Sequence, residues 1–292
     1  MVLPRKILIL LHARDVKAER RPYVVWSLAE VWRRAGVEVE VVRGVERFVD
    51  ADVAISHIAL TVVPEEYRRY LRRYPVAVNG GAVDASKAVV SQHLVRAGDG
   101  YQGPVIVKTN LNYGGLREEE LLDGVPVWQR IWRRVRRLRP LPAGNAWATV
   151  RTLDPSSYPV FGSLAEVPPA IFANPALVVE KFLPEREGEL YALRSCVFFG
   201  DRHLNVRTLS PEPVVKATSA RREEIAPHPE VFSGRARLAL DYGKLDYVVR
   251  DGAAVLFDAN RNPAFGSGGS REFQQRAATH LAAGLGALWP AR

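Results

Sequence analysis

The chain has 292 residues and a formal net charge of +9, from 41 Lys and Arg side chains against 32 Asp and Glu. Its composition, 47% hydrophobic and 25% charged, is that of a globular protein, and no apolar run reaches the roughly 18 residues of a transmembrane helix. The basic excess favours an anionic ligand or partner. One cysteine, Cys196, excludes an intrachain disulfide framework and fits a reducing compartment, so we expect a cytoplasmic protein.

The first region, residues 1–83, alternates predicted strands with predicted helices. Its start, MVLPRKILILL, has no small-residue cleavage site and is interpreted as a first strand rather than a signal peptide. The alternation predicts a parallel sheet with helices on its faces. No GxGxxG turn follows the first strand, which argues against an NAD site. The predicted strands are KILILL, VEVEVV, ADVAISHI and YPVAVN, and the predicted helices are YVVWSLAEVWRRAG and PEEYRRYLRRY.

The second region, residues 84–180, carries a candidate phosphate-binding lysine. It opens with DASKAVVSQHLVRAG, which predicts a helix with Asp84 as its N-cap. The strand PVIVKT then ends at Lys108, and a loop with Gly114 and Gly115 follows. A lysine at a strand end beside flexible backbone amides can hold phosphate oxygens, although many ordinary strands also end in a lysine and a turn. The order of a Walker A loop, GxxxxGK[ST], is missing.

An insertion at about residues 116–146 contains WQRIWRRVRRLRP, Trp128–Pro140. Its arginines and its apolar residues fall on opposite faces of a predicted helix. One interpretation is a surface helix packed by its Trp side, and the other is docking to an acidic partner, a membrane surface or nucleic acid. No zinc-ligand spacing and no base-reading motif accompanies the helix. We therefore expect no specific nucleic-acid partner, and a contact with another protein or a second copy stays open for this segment.

The third region, residues 181–292, is predicted to be rich in strands. A strand at Leu190–Phe199 carries Arg194, interpreted either as a catalytic residue or as the ion-pair partner of a nearby acid. Cys196 lies in an apolar run of the same strand, which favours a buried structural thiol over a nucleophile. A further strand near residues 214–217 carries Lys216, a candidate nucleotide-binding residue. A predicted helix from about Arg271 to Leu288 ends the region.

The segment KLDYVVRDGAAVLFDANRNPAFG, residues 244–266, predicts a β-hairpin around its DG turn. Side chains alternate along a strand, so a loop of three or five residues puts four polar side chains on one face, whereas a two-residue loop would put Asp246 on the other face. Carboxylate and amide oxygens are the hard ligands that suit Mg²⁺. The alternative is the solvated outer face of an antiparallel hairpin. The four polar residues are Lys244, Asp246, Asp258 and Asn260.

The order and spacing of these motifs resemble the ATP-grasp superfamily, and within it carboxylate–amine ligases such as D-alanine–D-alanine ligase and the RimK-like ligases. The resemblance covers almost the whole chain, although no single motif is specific. It implies a fold class from α/β to α+β, in which a Rossmann-like pre-ATP-grasp domain at residues 1–83 precedes two lobes that grip ATP. Lobe 1, at residues 84–180, would bind phosphates, and lobe 2, at residues 181–292, would hold the metal and a substrate loop.

The resemblance also implies roles in nucleotide binding. DASKAVVSQHL and PVIVKT match the segments with two phosphate-binding lysines, VVEKFLPE matches the segment that holds adenine, and GELYALR matches the acid that holds the ribose. Together with the glycine loop and the third-region lysine, the nucleotide-binding candidates are Lys87, Lys108, Gly114, Gly115, Glu180, Lys181, Phe182, Leu183, Glu189 and Lys216.

The hairpin matches the metal segment of the family, so Asp246, Asp258 and Asn260 would bind one or two Mg²⁺ ions, with Mn²⁺ as an alternative. Lys244 takes the place of a basic residue near the transferring phosphoryl group. Two features depart from the family: Asp stands at position 258 where Glu is common, and NLNYGG replaces the serine-rich phosphate loop of D-alanine ligases. The GSGGS loop is the counterpart of a substrate-carboxylate loop, with the candidates Ser267, Gly268, Gly269 and Ser270.

The implied activity is that of an ATP- and Mg²⁺-dependent ligase that joins a small-molecule or peptide carboxylate to an amine, or to a related nucleophile, through an acylphosphate. One alternative is an ATP-grasp-type kinase that phosphorylates an acidic or phosphorylated small molecule. A second is a non-catalytic nucleotide-binding scaffold, which the carboxylate set disfavours because a scaffold does not need those ligands. The identity of the substrates does not follow from the fold.

Overall fold

The computed structural model describes residues 3–123, 141–155, 157–215, 221–265 and 270–289. Contacts divide the chain into two compact units: unit 1 contains Met1–Ala85 and Pro184–Arg292, and unit 2 contains Ser86–Leu183. The first region and most of the third region defined from the sequence therefore belong to one unit, and most of the second region forms the other. Residues 84–85 lie in unit 1, and residues 181–183 lie in unit 2. No helix in the described part of the chain is long and apolar enough to span a bilayer.

Unit 1 begins with a four-stranded parallel sheet. Strand β1 (Lys6–Leu11) lies inside it, with β2 (Glu38–Arg43) on one side and β3 (Val53–Ser56) then β4 (Val76–Val78) on the other. All three pairings are parallel, as the alternation of strands and helices predicted. The five residues after Lys6 are all apolar because an internal parallel strand is covered on both faces, and all five are buried.

Helices α1 (Val24–Arg34) and α2 (Glu65–Leu71) occupy the two helical segments predicted for this region. The buried face of α1 carries Leu28 and Trp32, which are one helical turn apart. The indole N–H of Trp32 donates to the carbonyl of Ala282 at 3.1 Å. The first helix of the chain is thereby attached to its C-terminal segment.

Unit 2 contains a three-stranded antiparallel sheet. Its strands are β5 (Val105–Thr109), β6 (Val160–Phe161) and β7 (Leu177–Lys181), with β5 in the middle. The α-helices in the described part of the unit are α3 (Lys87–Val90), α4 (Leu116–Leu121) and α5 (Pro169–Phe172). The core of the unit packs Trp147 and Ile171 against the buried side chains of β5 and β7. This packing fixes the strand on which Lys108 lies.

The helix predicted for residues 84–98 is wrong except at α3, which begins at Lys87 after Ser86 and not after the predicted N-cap Asp84. After that turn the chain is extended and lies beside β7. The Val95 N–H donates to the carbonyl of Val179 at 2.9 Å, and the Lys181 N–H donates to the carbonyl of His93 at 2.8 Å. Pairing with a distant strand therefore replaces the helical hydrogen bonds, since buried backbone groups need a partner.

The second sheet of unit 1 has six antiparallel strands. They are β8 (Glu185–Glu187), β9 (Leu190–Phe199), β10 (Arg202–Ser210), β11 (Arg221–Glu224), β12 (Tyr242–Arg250) and β13 (Ala253–Asn260). Their order is β11-β10-β9-β12-β13, and β8 also pairs with β9. The sequence predicted neither β10 nor β11. It placed a strand near residues 214–217 instead, where Val214 lies in a bend and Lys216 is outside the described residues.

Three helices complete unit 1: α6 (Glu230–Arg237), α7 (Arg271–Ala282) and α8 (Leu285–Leu288). The predicted C-terminal helix is therefore two helices. The core of the unit joins its two sheets, because Trp32 of α1 packs on Phe199 of β9 at 5.2 Å between ring centroids, and Phe199 packs on Tyr242 of β12 at 5.4 Å. Hydrophobic side chains of α1 and α7 belong to the same core.

Arg261, the residue after β13, attaches the hairpin to the first region of the chain. It is 3% exposed. Its guanidinium donates to four backbone carbonyls, those of Leu60, Thr61, Ala82 and Val83, and the Thr61 and Val83 contacts measure 2.8 Å. The carbonyl oxygens compensate for the burial of the positive charge. The end of β13 is thereby held in place.

Replacing Arg261 by Met is expected to lower the free energy of unfolding by about 3 kcal/mol, because four carbonyls, three of them in buried hydrogen bonds, lose a charged donor. Urea denaturation followed by circular dichroism measures the change. Arg276→Met is the control. Arg276 is exposed, and its ion pair, at 3.6 Å to the exposed Glu224 carboxylate, is expected to contribute little to stability. Equal stability of the two variants would contradict the role of Arg261.

Candidate functional site

The hairpin β12–β13 places its polar residues by a route that differs from the predicted one. Its loop has two residues, Asp251 and Gly252, both with positive φ, and not the three or five that the prediction required. A β-bulge at Phe257 then adds one residue to β13, so that Tyr247 faces Leu256 and Asp246 faces Asp258. The bulge compensates for the short loop because an extra residue shifts the alternation of side chains.

The register also pairs Lys244 with Asn260, so four polar side chains share one face of the hairpin. We call Lys244, Asp246, Asp258 and Asn260 the hairpin cluster. Asp246 is 7% exposed, and Asp258 and Asn260 are half-buried. The alternative interpretation, a solvated outer face, is therefore wrong for Asp246.

A salt bridge lies inside the hairpin cluster. The Lys244 Nζ is 2.7 Å from Asp246 Oδ2. Burial lowers the pKa of the Lys244 ammonium, but the carboxylates of Asp246 and Asp258 outweigh burial and raise the pKa above its ordinary value. Lys244 therefore stays positively charged at neutral pH beside two carboxylates.

The donor set of the hairpin cluster fits Mg²⁺. Two carboxylates face each other across β12 and β13, and the Asn260 amide oxygen, which accepts from the Asn262 N–H at 2.8 Å, keeps a second lone pair. The set is small: within the described ranges no three His, Cys, Asp or Glu side chains form a metal-binding group. Such a set leaves positions for phosphate oxygens and water, which is typical of Mg²⁺ sites.

Arg194 is not brought to the hairpin cluster. Its register partner on β12 is Tyr247, one residue past Asp246, so its side chain lies on the opposite face of the sheet. There it donates to the Glu185 carboxylate through Nε at 3.0 Å and Nη2 at 2.6 Å. The interpretation as an ion-pair partner is confirmed, and the structure does not place Arg194 on the face of the hairpin cluster.

Three further predictions for unit 1 have different outcomes. Glu189, the predicted ribose ligand, is exposed in the turn between β8 and β9, and the buried acid of this hairpin is Glu185. Ser270 is the N-cap of α7, where its hydroxyl accepts from the Phe273 N–H at 3.1 Å. Cys196 is buried, and burial raises the pKa of its thiol to about 12, which confirms a structural thiol. The predictions that lie outside the described residues are Lys216, Ser267, Gly268, Gly269 and the segment Trp128–Pro140.

In unit 2, Lys108 and Glu180 form a buried ion pair between β5 and β7. The Lys108 Nζ is 2.7 Å from Glu180 Oε2, and the two side chains are 10% and 3% exposed. The second carboxylate oxygen of Glu180, Oε1, is buried and has no hydrogen-bond partner among the described residues. A buried acceptor of this kind costs free energy unless a donor reaches it, and the amino group of a nucleobase is such a donor.

Lys87 contacts the predicted phosphate loop. Its backbone N–H donates to the carbonyl of Asn110 at 2.9 Å, and its Nζ donates to Asn112 Oδ1 at 3.2 Å. Gly114 and Gly115 lie in the same loop with positive φ. A Cβ at Gly114 would be 2.0 Å from the carbonyl oxygen of Leu153, so this glycine is needed for a close approach of two backbone segments.

The predicted adenine-binding segment begins at the end of β7. The Phe182 N–H donates to the carbonyl of Pro104 at 2.8 Å, and Lys181 places its Nζ 5.0 Å from the ring centroid of Tyr101. Leu183 is half-buried. The backbone N–H of Phe182 is therefore already used within the protein, as is that of Lys181.

Sequence reasoning missed residues that touch the candidate groups. Ser195 donates its hydroxyl to Asp246 Oδ1 from the neighbouring strand β9. Its only sequence signal is that it is polar, whereas the two residues that alternation places beside it on the same face of β9, Leu193 and Val197, are apolar. Arg261 has no local signal, because its carbonyl partners are distant in the chain. Glu185 lies only nine residues before its partner Arg194, and the sequence indicated a nearby acid without identifying it.

The sequence matches no protein-family model and no curated protein. The structure is similar to D-alanine–D-alanine ligase from Bacillus anthracis, with 11% identity, 97% of this chain and 95% of that chain covered, and a TM-score of 0.48. It is also similar to a RimK domain ATP-grasp protein from Sphaerobacter thermophilus (15% identity, 96% and 99% covered, TM-score 0.48). A third similar structure is a D-cycloserine synthetase (14% identity, 96% and 99% covered, TM-score 0.43). Similarity at this level assigns neither an activity nor a substrate to the chain.

Proposed function

We propose that the chain is an ATP- and Mg²⁺-dependent ligase that joins a carboxylate to an amine, or to a related nucleophile, through an acylphosphate. The observation that carries the proposal is the register of β12 and β13, which pairs Asp246 with Asp258 and Lys244 with Asn260. The sequence motifs add support through their resemblance to ATP-grasp ligases. Asp246, Asp258 and Asn260 would hold the metal. When bound, Mg²⁺ supplies positive charge that offsets the charge of the phosphate oxygens.

Nucleotide binding is assigned to residues of unit 2. Lys87 and Lys108 would donate to phosphate oxygens. Both lysines are buried. Lys87 contacts the loop at residues 110–115, and Lys108 lies on β5, the strand that leads into this loop. Glu180 would accept from the amino group of adenine through Oε1, the oxygen that lacks a partner among the described residues. Lys181, Phe182 and Leu183 would contact the base.

Lys244 is assigned to the transferring phosphoryl group. Its ammonium stays protonated because of the neighbouring carboxylates, as its raised pKa indicates. A fixed positive charge stabilises the charge that develops on the phosphoryl oxygens, and most of the rate enhancement would come from such positioning and electrostatics. The substrate carboxylate would attack the γ-phosphorus, with ADP leaving, to give the acylphosphate. The amine would then attack the acyl carbon, and phosphate and the amine proton would leave.

The test of the reaction is ADP release from Mg²⁺-ATP, screened against pooled amino acids, peptides and small acids with product masses measured. An amide product supports the ligase. A mass gain of one phosphoryl group would favour a kinase on the same fold. Nucleotide binding without ADP release in any pool would favour a non-catalytic nucleotide-binding protein.

Mg²⁺-ATP is expected to raise the melting temperature by about 5 °C when its concentration is roughly 100 times Kd, because a ligand selective for the native state stabilises it. Lys87→Gln should reduce this rise by at least half, since the substitution removes a positive charge but keeps a hydrogen-bond donor toward Asn112. Lys17→Gln, at an exposed lysine, is the matched control. Each variant is compared with its own ligand-free protein by differential scanning fluorimetry. A melting temperature that no purine nucleotide changes at millimolar concentration would contradict the assignment.

A further inference from the structure

The strand next to the hairpin, β9, presents a single hydroxyl to the hairpin cluster. Its register with β12 places Ser195 across from Asp246 and Val197 across from Lys244. Ser195 therefore lies on the same sheet face as the hairpin cluster. The neighbouring β9 residues on this face, Leu193 and Val197, are apolar, so Ser195 is the polar group that β9 offers to Asp246.

The two carboxylate oxygens of Asp246 have different partners. Oδ1 accepts the Ser195 hydroxyl, and Oδ2 contacts the Lys244 ammonium at 2.7 Å. The Lys244 ammonium is a cation, so it competes with a divalent ion for Asp246 Oδ2. The Ser195 hydroxyl is neutral, so it orients the carboxylate through Oδ1 without competing as a second positive charge. A carboxylate that is 7% exposed and held by a donor on a neighbouring strand has little freedom to rotate away.

We propose that Ser195 is a positioning residue for the metal: its hydroxyl fixes the orientation of the Asp246 carboxylate, so that Asp246 and Asp258 present oxygens to one divalent cation. The proposal rests on the proposed function, because it requires a metal at the hairpin cluster. Hydrogen bonds to a metal-binding carboxylate typically change metal affinity by about 10- to 100-fold when they are removed. The effect of Ser195 should therefore appear in metal binding itself and not only in turnover.

The test is Mn²⁺ binding to the full chain, measured as free Mn²⁺ by electron paramagnetic resonance, with Mn²⁺ alone and with a non-hydrolysable ATP analogue. Ser195→Ala should weaken Mn²⁺ binding about 10-fold while lowering the melting temperature no more than the control variant Ser210→Ala does. Ser195→Thr keeps the hydroxyl and should restore the affinity to within about 2-fold of the native chain. Ser210→Ala is the matched control, because it removes a buried serine hydroxyl from β10 that bonds the Glu212 N–H and not Asp246.

The Asp258→Asn variant separates failure of this proposal from failure of the metal site. If the native chain binds Mn²⁺ and Asp258→Asn does not, but Ser195→Ala binds like the native chain, the positioning role is overturned and the metal site stands. If Asp258→Asn binds Mn²⁺ as tightly as the native chain, both are overturned. If Ser195→Thr is as weak as Ser195→Ala, the hydroxyl is not the group that matters and the proposal is overturned.

Discussion

The Asp258→Asn variant is expected to lose about 100-fold or more of its ATP turnover while keeping its fold. The substitution removes one negative oxygen ligand but preserves size and hydrogen-bonding capacity, and the loss of several kcal/mol of metal-supplied charge stabilisation corresponds to at least two orders of magnitude in rate. The Lys244–Asp246 salt bridge at 2.7 Å is left in place, so the variant should stay folded. ADP release, measured with the substrate pool that gives the native chain its highest rate, tests the loss.

The control for this variant lies on the same hairpin. Asp251→Asn makes the same chemical change in the exposed turn, where its positive φ of 51° suits Asn as well as Asp. It should keep full turnover. The Asp246→Asn/Asp258→Asn double variant is the decisive protein: undiminished ADP release from it would contradict the mechanism even though the two residues face each other.

Glu180→Leu is expected to destabilise unit 2 by about 3 kcal/mol, because it removes the carboxylate that compensates the buried Lys108 ammonium. The pair is 10% and 3% exposed, so water cannot replace the lost partner easily. Native-state hydrogen exchange of the β5 and β7 amides measures the change within the unit concerned. Faster exchange of these amides in the variant is the expected result.

The double variant Lys108→Met/Glu180→Leu should recover most of this loss, since two apolar side chains of similar size leave no buried charge. Arg72→Met serves as a control for an exposed pair, because Arg72 and Glu65 are 58% and 50% exposed at 2.8 Å, and it should cause no measurable change. A double variant as unstable as Glu180→Leu would show that the pair is not the origin of the effect. It would then point to packing around β7 instead.

The hairpin illustrates how far local sequence carries. The prediction that four residues share a face is confirmed, but alternation and the DG turn alone would have put Asp246 on the other face. The predicted loop length was wrong, and the same face is reached only because of the bulge at Phe257. The bulge pairs the buried Tyr247 and Leu256 on the other face of the sheet, so packing there selects it. No local pattern specifies such a choice, because a bulge depends on what covers both faces.

Two other differences have the same origin. The spacing in DASKAVVSQHLVRAG favours a helix, but pairing of residues 93–95 with β7 takes its place. For Arg194 the sequence left two interpretations open, and the outcome depends on Glu185, which reaches it from the neighbouring strand β8. For residues 93–95 the partner strand is distant in the chain, and for Arg194 the partner lies on another strand. A local sequence pattern identifies neither partner.

The sequence by itself determined the parallel strands and helices of the first region, the strand that ends in Lys108 and the hairpin with its acidic residues. Each of these depends on periodicity or turn chemistry within about 25 residues. Only the tertiary structure decided that β9 lies beside β12, that Ser195 therefore meets Asp246, and that Arg261 reaches carbonyls about 180 to 200 residues earlier. The physical reason is that strand order and burial arise from contacts between distant segments, whose free energy depends on the whole core and not on any one stretch of chain.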